Sequence, residues 1–269
     1  MVVILTALEL EYTAVREHLT DVRRHVHPAG TWFEVGTING RRVAIALIGK
    51  GNTMAATITE RAIAEFEPDL VLFVGVAGAL KASLGLGDIV VATKVYAYHG
   101  GYDGPDGFNA RPRAFEAPHH IEQIARHVAM TGTWPPVHFY PIAAGEIVKD
   151  AEKSVLADML RTHYNDAVAI EMESAGVAHA AHLNRAPTMT IRAISDHSDG
   201  RKQIADRAGS QRTAARNAAG FAAAVIAELE DTGDPPPRGL RVENVFTGTA
   251  HNVIQGGVVN GDVHLGRDA

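Results

Sequence analysis

Short runs of aliphatic and β-branched residues alternate along the chain with longer, alanine-rich segments. The short runs are apolar throughout and predict buried strands. These strands are Val2–Leu5, Val43–Ile48, Leu70–Val74, Ile89–Ala92 and Thr188–Ile194. The longer segments have the length and apolar spacing of helices, which are predicted over 53–66, 119–130, 152–163, 174–183 and 211–230.

Strands that lack a polar face are buried on both sides, and the helices between them provide the cover. The pattern therefore predicts an α/β fold of three layers, αβα, with a central, mostly parallel, twisted sheet. In folds of this class, ligands bind at the carboxyl ends of the strands. The polar residues that directly follow the strands are consequently the candidates for chemistry.

The alternation stops near Glu230, where the composition changes. Residues 231–241 contain consecutive prolines and flanking glycines, which cannot continue a helix and are typical of a linker. Residues 242–269 are too few to build a core of their own. We therefore expect a globular domain over 1–230, a Pro-rich linker over 231–241 and a separate element over 242–269.

Composition narrows the class of protein. The net charge of −6 gives no positive field for nucleic acid, and the absence of cysteine excludes disulfides, thiolate nucleophiles and Cys-type zinc sites. A cysteine-free chain fits a reducing compartment, so we expect a cytoplasmic protein. The N-terminus, MVVILTALELEY, has no basic segment and indicates a strand rather than a signal peptide. The longest apolar run, 70–80, is too short to cross a bilayer, so no membrane partner is expected.

Three acidic residues follow predicted strands: Glu11, Glu173 and Asp196. Each alone is explained equally well by a cap at the start of the next helix. Together at one edge of a sheet they favour a functional site. Glu171 lies two residues before Glu173, so an extended backbone would turn both carboxylates to one side.

Five motifs carry a family resemblance. They are TALELE, GVAG at 75–78, PIAAGEIV at 141–148, AIEMESAG at 169–176 and RAISDHSD, which ends at Asp199. In this order they resemble the purine nucleoside phosphorylase and nucleosidase superfamily. The likeness covers nearly all of 1–230 and is strongest to the methylthioadenosine/S-adenosylhomocysteine nucleosidase branch and its defence-associated relatives.

The resemblance implies that the chain cleaves the N-glycosidic bond of a purine nucleoside or nucleotide. Asp196 would protonate the purine, and Glu173 would accept hydrogen bonds from the ribose hydroxyls, with Met172 packed against the sugar. Such chemistry suits a positioned acid and a buried carboxylate. Glu11 would activate water, with Glu9 as the near alternative.

The remaining implied contacts concern the base and the sugar-binding carboxylate. The GVAG turn, through Ala77 and Gly78, and the edge formed by Ile147 and Val148 would contact the purine; GVAG alone also fits a tight turn that needs small residues. Arg192 is either an ion-pair partner beneath Glu173 or a surface arginine. Glu171 either orients the segment or is only a neighbour.

Several interpretations of the activity stay open. Phosphorylases of this superfamily need an arginine and a glycine-rich loop near the first strand, and LTALELEY offers acids there, which favours hydrolysis over phosphorolysis. A housekeeping nucleosidase and a nucleotide-binding sensor that no longer cleaves are two further hypotheses. Relatives are commonly dimers, or hexamers built from dimers, so a homo-oligomer is expected.

The segment 96–113 is long and basic at its end. Its His99, Arg111 and Arg113, together with Lys50, are candidates for contacts with a phosphate group, because some defence-associated relatives cleave adenine nucleotides, including ATP. The alternative is a solvated loop at an oligomer contact.

No cofactor or metal is required by the implied reaction. The histidines that occur close together lack a carboxylate or cysteine partner at ligand spacing. These are His25, His27, His119 and His120.

The C-terminal segment 244–266 is rich in Gly, Asn and Val, contains no proline and carries little charge. This is the composition of a cross-β former. With its core Ile254-Gln255-Gly256-Gly257, it resembles RHIM-like bacterial amyloid signalling motifs, which sit on effector domains and pair with a like motif on a sensor protein. The resemblance implies a defence or cell-death effector. A disordered tail or a short hairpin is the alternative.

Overall fold

All five predicted strands and all five predicted helices are present in the computed structural model, which describes residues 1–105, 107–151, 153–199 and 209–229. The predicted linker and the predicted amyloid-type element, 231–269, lie outside the described residues.

The described strands and helices are numbered in chain order. The strands are β1 (Val2–Thr6), β2 (Thr20–Val26), β3 (Trp32–Ile38), β4 (Arg41–Leu47), β5 (Leu70–Ala79), β6 (Ile89–Ala97), β7 (Gly101–Gly104), β8 (Gly107–Ala110), β9 (Arg113–Glu116), β10 (Val137–Ala144), β11 (Ala169–Glu171) and β12 (Thr188–Asp196). The helices are α1 (Glu9–Arg16), α2 (Asn52–Phe66), α3 (His119–Thr131), α4 (Val155–His163), α5 (Ser174–Leu183) and α6 (Ser210–Ala227). None of these helices combines the length and the apolar character needed to cross a lipid bilayer.

The main sheet is mixed, which corrects the prediction of a mostly parallel sheet. Its order is β11-β10-β6-β12-β5-β1-β4-β3-β2, with β9 on β6. Among the described strands of this sheet, the pairs β4–β1, β1–β5, β5–β12, β6–β10 and β10–β11 are parallel. The pairs β2–β3, β3–β4, β6–β9, β6–β12 and β5–β11 are antiparallel.

The antiparallel end of the sheet follows from short connections. A parallel pair needs a long crossover, whereas β3 and β4 are joined by Asn39 and Gly40 alone. Both residues have positive φ, 50° and 79°, which is the conformation that hairpin turns of this length require. The dipeptide Asn-Gly is therefore the sequence signal for this hairpin, although the apolar runs do not reveal it.

The short strand β11 closes part of the sheet on itself. It pairs with β10 on one side and with β5 on the other, where Ala169 faces Ala79 and Ile170 faces Gly78. The strands β5, β12, β6, β10 and β11 thus form a ring of pairings. This closure brings the residues that follow β11 against the second half of β5.

The predicted covering of both sheet faces is present. In β1, Val2 and Ile4 join the core beneath α1, α3 and α6, whereas Val3 and Leu5 join the core beneath α2 and α5. Alternate residues of a strand point to opposite faces, so apolar side chains on both sides produce an unbroken apolar run.

Candidate active site

A cleft lies at the carboxyl ends of β1, β11 and β12, beside the second half of β5. It is lined by Ala7, Leu8, Glu11, Lys50, Val76, Ala77, Gly78, Ile147, Val148, Lys149, Ile170, Glu171, Met172, Glu173, Ser195, Asp196, Ser198 and Gln211. All the site residues suggested by the motifs are in this lining except Arg192, which lies beneath it.

Glu11 is buried in the first turn of α1. Its Oε2 accepts hydrogen bonds from the backbone N–H groups of Ala7 at 2.8 Å and Leu8 at 2.9 Å, and its Oε1 accepts from Val76 N–H at 2.8 Å. These bonds close the turn after β1 and tie it to β5. The carboxylate is therefore fixed by backbone groups and not by flexible side chains.

Burial raises the pKa of Glu11 above its ordinary value of 4.5, and the charge of Arg192 and the three backbone N–H groups only partly oppose this effect. A carboxylate with a raised pKa is a stronger base than one in water. Glu9, the alternative, is exposed at the start of α1. The two residues belong to a helix and not to a strand, so a spacing of two no longer places them on one side.

Arg192 lies in the interior of β12 and is completely buried. Its Nη2 is 2.7 Å from Glu171 Oε2 and 3.9 Å from Glu173 Oε2, and its Nη1 is 3.6 Å from Glu11 Oε1. With an effective dielectric constant of about 20, the attraction is about 2 kcal/mol stronger toward Glu171 than toward Glu173. The arginine is therefore an ion-pair partner in the core, and its main partner is Glu171.

The rest of the Arg192 guanidinium is enclosed by apolar and backbone groups. It lies 3.8 Å from the ring centroid of Phe73, a favourable cation–π position. Gly75, its register partner on β5, leaves the space it needs: a Cβ there would be 2.1 Å from Arg192 Nη1 and 2.2 Å from Glu11 Oε1. The glycine of GVAG thus serves the charge cluster as well as the turn.

Glu173 begins α5 and points into the cleft. Its Oε1 accepts a hydrogen bond from Gly51 N–H at 3.0 Å. Burial, then the nearby charge of Glu171, raises the pKa of Glu173 to about 7, while Arg192 lowers it less. This group therefore changes its charge near neutral pH.

Glu171 is also buried, and it orients the segment. Its carboxylate accepts from the backbone N–H groups of Glu173 and Ser174 and from the Ser174 hydroxyl, at 2.6 to 3.1 Å. Of the two interpretations of this residue, the contacts favour the orienting one.

Asp196 ends β12 and is buried. Its Oδ2 accepts from Ser195 Oγ at 2.9 Å, and its Oδ1 accepts from Ser198 N–H at 3.0 Å. Gly78 allows this packing, because a Cβ there would be 2.1 Å from Ser198 Oγ and 3.0 Å from Asp196 Oδ1. The Asp196 carboxyl is held against the backbone edge of β5.

The cleft also carries an apolar surface. Ile147 and Val148 are 50% and 58% exposed, although aliphatic side chains are usually buried. With Met172 they provide a face against which a flat, apolar ring system can pack.

The basic residues proposed to contact phosphate are divided between two places. Lys50 lines the cleft, one residue before the Gly51 N–H that binds Glu173. His99, Arg111 and Arg113 line a separate groove at the start of α2, and His99 Nδ1 accepts from the backbone N–H of Glu146. Within the described chain, only Lys50 of these four residues lies with the carboxylates.

Two of the histidines that occur close together in the sequence, His25 and His27, form hydrogen bonds within the protein. His25 Nε2 is 2.7 Å from Glu65 Oε1, and His27 Nδ1 accepts from Ala29 N–H. In the described part of the chain, no group of three or more His, Asp or Glu side chains is arranged to hold a metal ion.

Some cleft residues were not expected from the sequence. Ser198 binds the carboxyl group of Asp196, and Gly51 binds that of Glu173. Lys149 joins the cleft wall through a 2.9 Å hydrogen bond from its Nζ to the Ser198 carbonyl. Ser198 lies inside the RAISDHSD motif and could have been found there. Gly51, with a φ of 97°, and Lys149 come from connecting segments whose positions depend on the closed fold.

Comparison with known proteins identifies similar chains. A model of the phosphorylase superfamily matches residues 1–227. The 5′-methylthioadenosine/S-adenosylhomocysteine nucleosidase of Maridesulfovibrio salexigens is 30% identical over 203 residues, which cover 73% of this chain and 86% of that protein.

Solved structures agree with this similarity. The 5′-methylthioadenosine/S-adenosylhomocysteine nucleosidase of Neisseria meningitidis, in complex with methylthio-immucillin-A, is 29% identical, with a TM-score of 0.76 over 85% of this chain and 99% of that one. The futalosine hydrolase of Helicobacter pylori is 25% identical, with a TM-score of 0.75 over 85% of this chain and 97% of that one.

The raised pKa of Glu173 predicts how stability depends on pH. The folded chain keeps a proton on Glu173 up to about pH 7, whereas the unfolded chain releases it near 4.5. The wild type should therefore lose stability relative to Glu173→Gln as pH rises from about 4.5 to about 7, by at most about 3 kcal/mol. Urea unfolding of both proteins at about pH 5 and about pH 8 measures this difference.

Glu116→Gln, at an exposed glutamate of β9, is the matched control and should show no such trend. A difference between wild type and Glu173→Gln that is the same at both pH values would contradict the raised pKa.

Proposed function

This chain belongs to the phosphorylase superfamily and is an N-glycosyl hydrolase, and on that basis we propose that it hydrolyses the bond between ribose and an adenine-type purine. The proposal is carried by one observation: the carboxyl groups of Asp196, Glu11 and Glu173 and the exposed side chains of Ile147 and Val148 line one cleft. We assign the purine to the part with Asp196, called the base end, and the ribose to the part with the two glutamates, called the sugar end.

Asp196 is proposed as the acid at the base end. Departure of the purine leaves electrons on its imidazole ring, and a proton delivered to N7 makes the base a better leaving group. Asp196 stands beside Ile147 and Val148, and its partners Ser195 and Ser198 fix its orientation. The proton goes from Asp196 to the purine while the C1′–N9 bond breaks.

Glu173 is proposed to hold the sugar. Its carboxylate accepts one N–H bond from Gly51, which leaves acceptor capacity for the 2′ and 3′ hydroxyls. Charge-assisted hydrogen bonds of this kind are stronger than neutral ones, and the ionised group also favours the positive charge that develops on the ribosyl ring.

Glu11 is proposed to activate water. Its raised pKa suits a general base, and the effect of its charge on Glu173 supports a position close to the bound sugar. Water gives a proton to Glu11 and its oxygen forms the new bond to C1′, so that the products are free purine and ribose or its 5′ derivative. The cluster of carboxylates is also unfavourable for phosphate as the attacking group, and the named relatives are a nucleosidase and a hydrolase.

Conversion of the two acid–base residues to their amides tests this assignment. We expect Glu11→Gln and Asp196→Asn each to lower kcat by about 10²- to 10⁴-fold, because each removes one proton transfer. Free purine is measured by chromatography with methylthioadenosine, adenosine, inosine, AMP and ATP as substrates. Glu9→Gln is the matched control and should retain activity, since Glu9 is exposed.

The same assay, run with and without added phosphate, distinguishes hydrolysis from phosphorolysis. A requirement for phosphate, with ribose 1-phosphate as a product, would identify a phosphorylase. Binding of a nucleotide without release of base from any substrate would favour a nucleotide sensor.

For the 5′ group we propose that the site accepts phosphorylated substrates, up to a nucleoside triphosphate. Lys50 is exposed at the sugar end, and the bond from Gly51 to Glu173 fixes the backbone beside it. An ammonium group at this place offsets the repulsion between the carboxylates and a phosphate. A neutral 5′ group would gain little from it.

Lys50→Ala should therefore raise KM for ATP about tenfold and leave KM for adenosine within a factor of about two, because a hydrogen bond to a charged group contributes about 1.5 kcal/mol or more. Lys94→Ala removes a lysine of β6 that pairs with Glu116 and serves as the control. Equal effects of Lys50→Ala on both substrates would contradict a role in phosphate recognition and favour a nucleoside as substrate.

We also propose that residues 244–266 recruit the enzyme to a signalling assembly, which would make it a defence or cell-death effector. The support is the sequence: a charge-poor Asn, Gly and Val frame around Ile254-Gln255-Gly256-Gly257, after a Pro-rich linker. A housekeeping nucleosidase has no need of such a segment.

Full-length protein should form fibres that bind thioflavin T, and Ile254→Asp should abolish them, because a charge in a stacked core is repeated in every layer. Val242→Asp, outside 244–266, is the control and should leave the fibres intact. Base release by the dispersed protein should be the same in all three chains. Absence of fibres from the wild type, alone and after seeding with the isolated segment, would contradict the proposal.

A further inference from the structure

The carboxylate of Glu171 accepts more hydrogen bonds than the carboxylate of Glu173, the other glutamate of the AIEMESAG motif. It accepts from Glu173 N–H at 3.1 Å, from Ser174 N–H through both oxygens, from Ser174 Oγ at 2.6 Å and from Arg192 Nη2 at 2.7 Å. These partners belong to the start of α5 and to β12. Glu171 takes no part in the proton transfers or the sugar binding of the proposed mechanism.

The contacts with α5 form part of its N-terminal cap. The first N–H groups of a helix lack partners within it, and the side chain of the N-cap residue usually accepts from the second or third of them. Here the N-cap residue is Glu173, and its side chain makes no such bond. Asn52 Oδ1 accepts from Gly176 N–H at 2.8 Å, and Glu171 accepts from Glu173 N–H and Ser174 N–H, so the Glu173 carboxylate is free to turn toward the cleft.

The contact with β12 has a similar consequence. Arg192 is the cation beneath the site, and it lies 2.7 Å from Glu171 but 3.9 Å from Glu173. If Glu171 did not hold Arg192, the guanidinium would move to the nearest remaining carboxylates. A close ion pair with Glu173 would occupy the oxygens that the sugar hydroxyls need.

We propose that Glu171 is a positioning residue that reserves the Glu173 carboxylate for the ribose hydroxyls, by binding the first N–H groups of α5 and by holding Arg192 away from Glu173. The inference rests on the proposed function, because it names the residue that keeps the sugar-binding group available. Glu171 itself does not contact the reacting atoms.

Removal of the Glu171 charge should change the titration of Glu173 in a defined direction. The charge of Glu171 helps raise the pKa of Glu173, and the charge of Arg192 opposes it. Loss of the Glu171 charge and closer approach of Arg192 should both lower the pKa of Glu173. The charged groups that face Glu173 or line the same cleft are Glu11 on α1, Lys50 before α2, Lys149 after β10, Glu171 on β11, and Arg192 and Asp196 on β12.

The test uses the full chain with Glu171→Gln, which keeps the size and one acceptor oxygen. We expect KM for the nucleoside to rise at least about tenfold with kcat changed less, because binding of the sugar weakens in the ground state and the transition state alike. The acidic limb of kcat/KM, to which ionisation of both Glu173 and Glu11 in the free enzyme contributes, should move to lower pH.

Glu146→Gln is the matched control, because Glu146 Oε1 accepts from Asn52 N–H at the start of α2 but has no contact with Arg192. It should leave KM and the acidic limb unchanged. If Glu171 is only a cap, Glu171→Gln lowers the melting temperature and leaves the acidic limb in place, and the proposal is wrong.

A second measurement does not depend on turnover. The side-chain carboxyl carbon of Glu173, labelled with ¹³C and assigned by its absence from Glu173→Gln, is titrated by NMR. In the wild type its midpoint should lie near 7, and in Glu171→Gln it should be lower. A wild-type midpoint near 4.5 would mean that Arg192 serves Glu173 and would overturn the proposal even if Glu171→Gln does not fold. A wild type that releases no purine would contradict the proposed function, while the titration would still decide the role of Glu171.

Discussion

The buried guanidinium of Arg192 is the interaction on which the arrangement of the site depends. Three carboxylates from three different elements approach it: Glu11 from α1, and Glu171 and Glu173 from β11 and the start of α5. Without a cation, their burial together would be strongly unfavourable. One arginine cannot neutralise three carboxylates, so repulsion remains, and it contributes to the raised pKa of Glu173. The chain maintains this unfavourable cluster in its core, at the cleft proposed to carry out the acid–base chemistry.

The closed part of the sheet determines which residues can share this cation. Because β11 pairs with β5 as well as β10, the residues after β11 reach the part of β5 that contains Gly75 and Gly78. At both glycines, a side chain from β12 or from the turn directly after it occupies the space of a Cβ, namely Arg192 and Ser198. The parts of the cleft proposed to bind the base and the sugar are thus built on one strand. Their separation is set by backbone register and not by side-chain flexibility.

The sequence predicted those parts of the molecule in which the local pattern and the tertiary structure agree. The strands β1, β5 and β12 are apolar on both faces and were recognisable, and the acids at their carboxyl ends were found together with the family motifs. The strand β11 has only three residues, Ala169–Glu171, and is too short to show a period. Its pairing with β10 and β5 could therefore not be predicted from the sequence, and neither could the ring of strands that this pairing closes. The ion pair between Arg192 and Glu171 could not be predicted for the same reason, because the two residues are distant in sequence and meet through the ring of strands.

Four basic residues that the sequence suggested as phosphate contacts lie in two different places, which the sequence could not show. Their positions bear on whether the substrate can carry a phosphate group. His99, Arg111 and Arg113 were grouped with Lys50 as candidates for contacts with a phosphate group, yet β9 pairs with β6 and these three residues line a different groove. A phosphate group in the cleft would meet Glu11, Glu171 and Glu173 before any of these arginines. Lys50 lies one residue before Gly51, which binds Glu173, whereas Lys149 is bonded to the Ser198 carbonyl. Under the proposed function, accommodation of a 5′ phosphate would therefore depend on Lys50. Discrimination between a nucleoside and a nucleotide would follow from the electrostatic balance between that ammonium group and the carboxylates around Arg192.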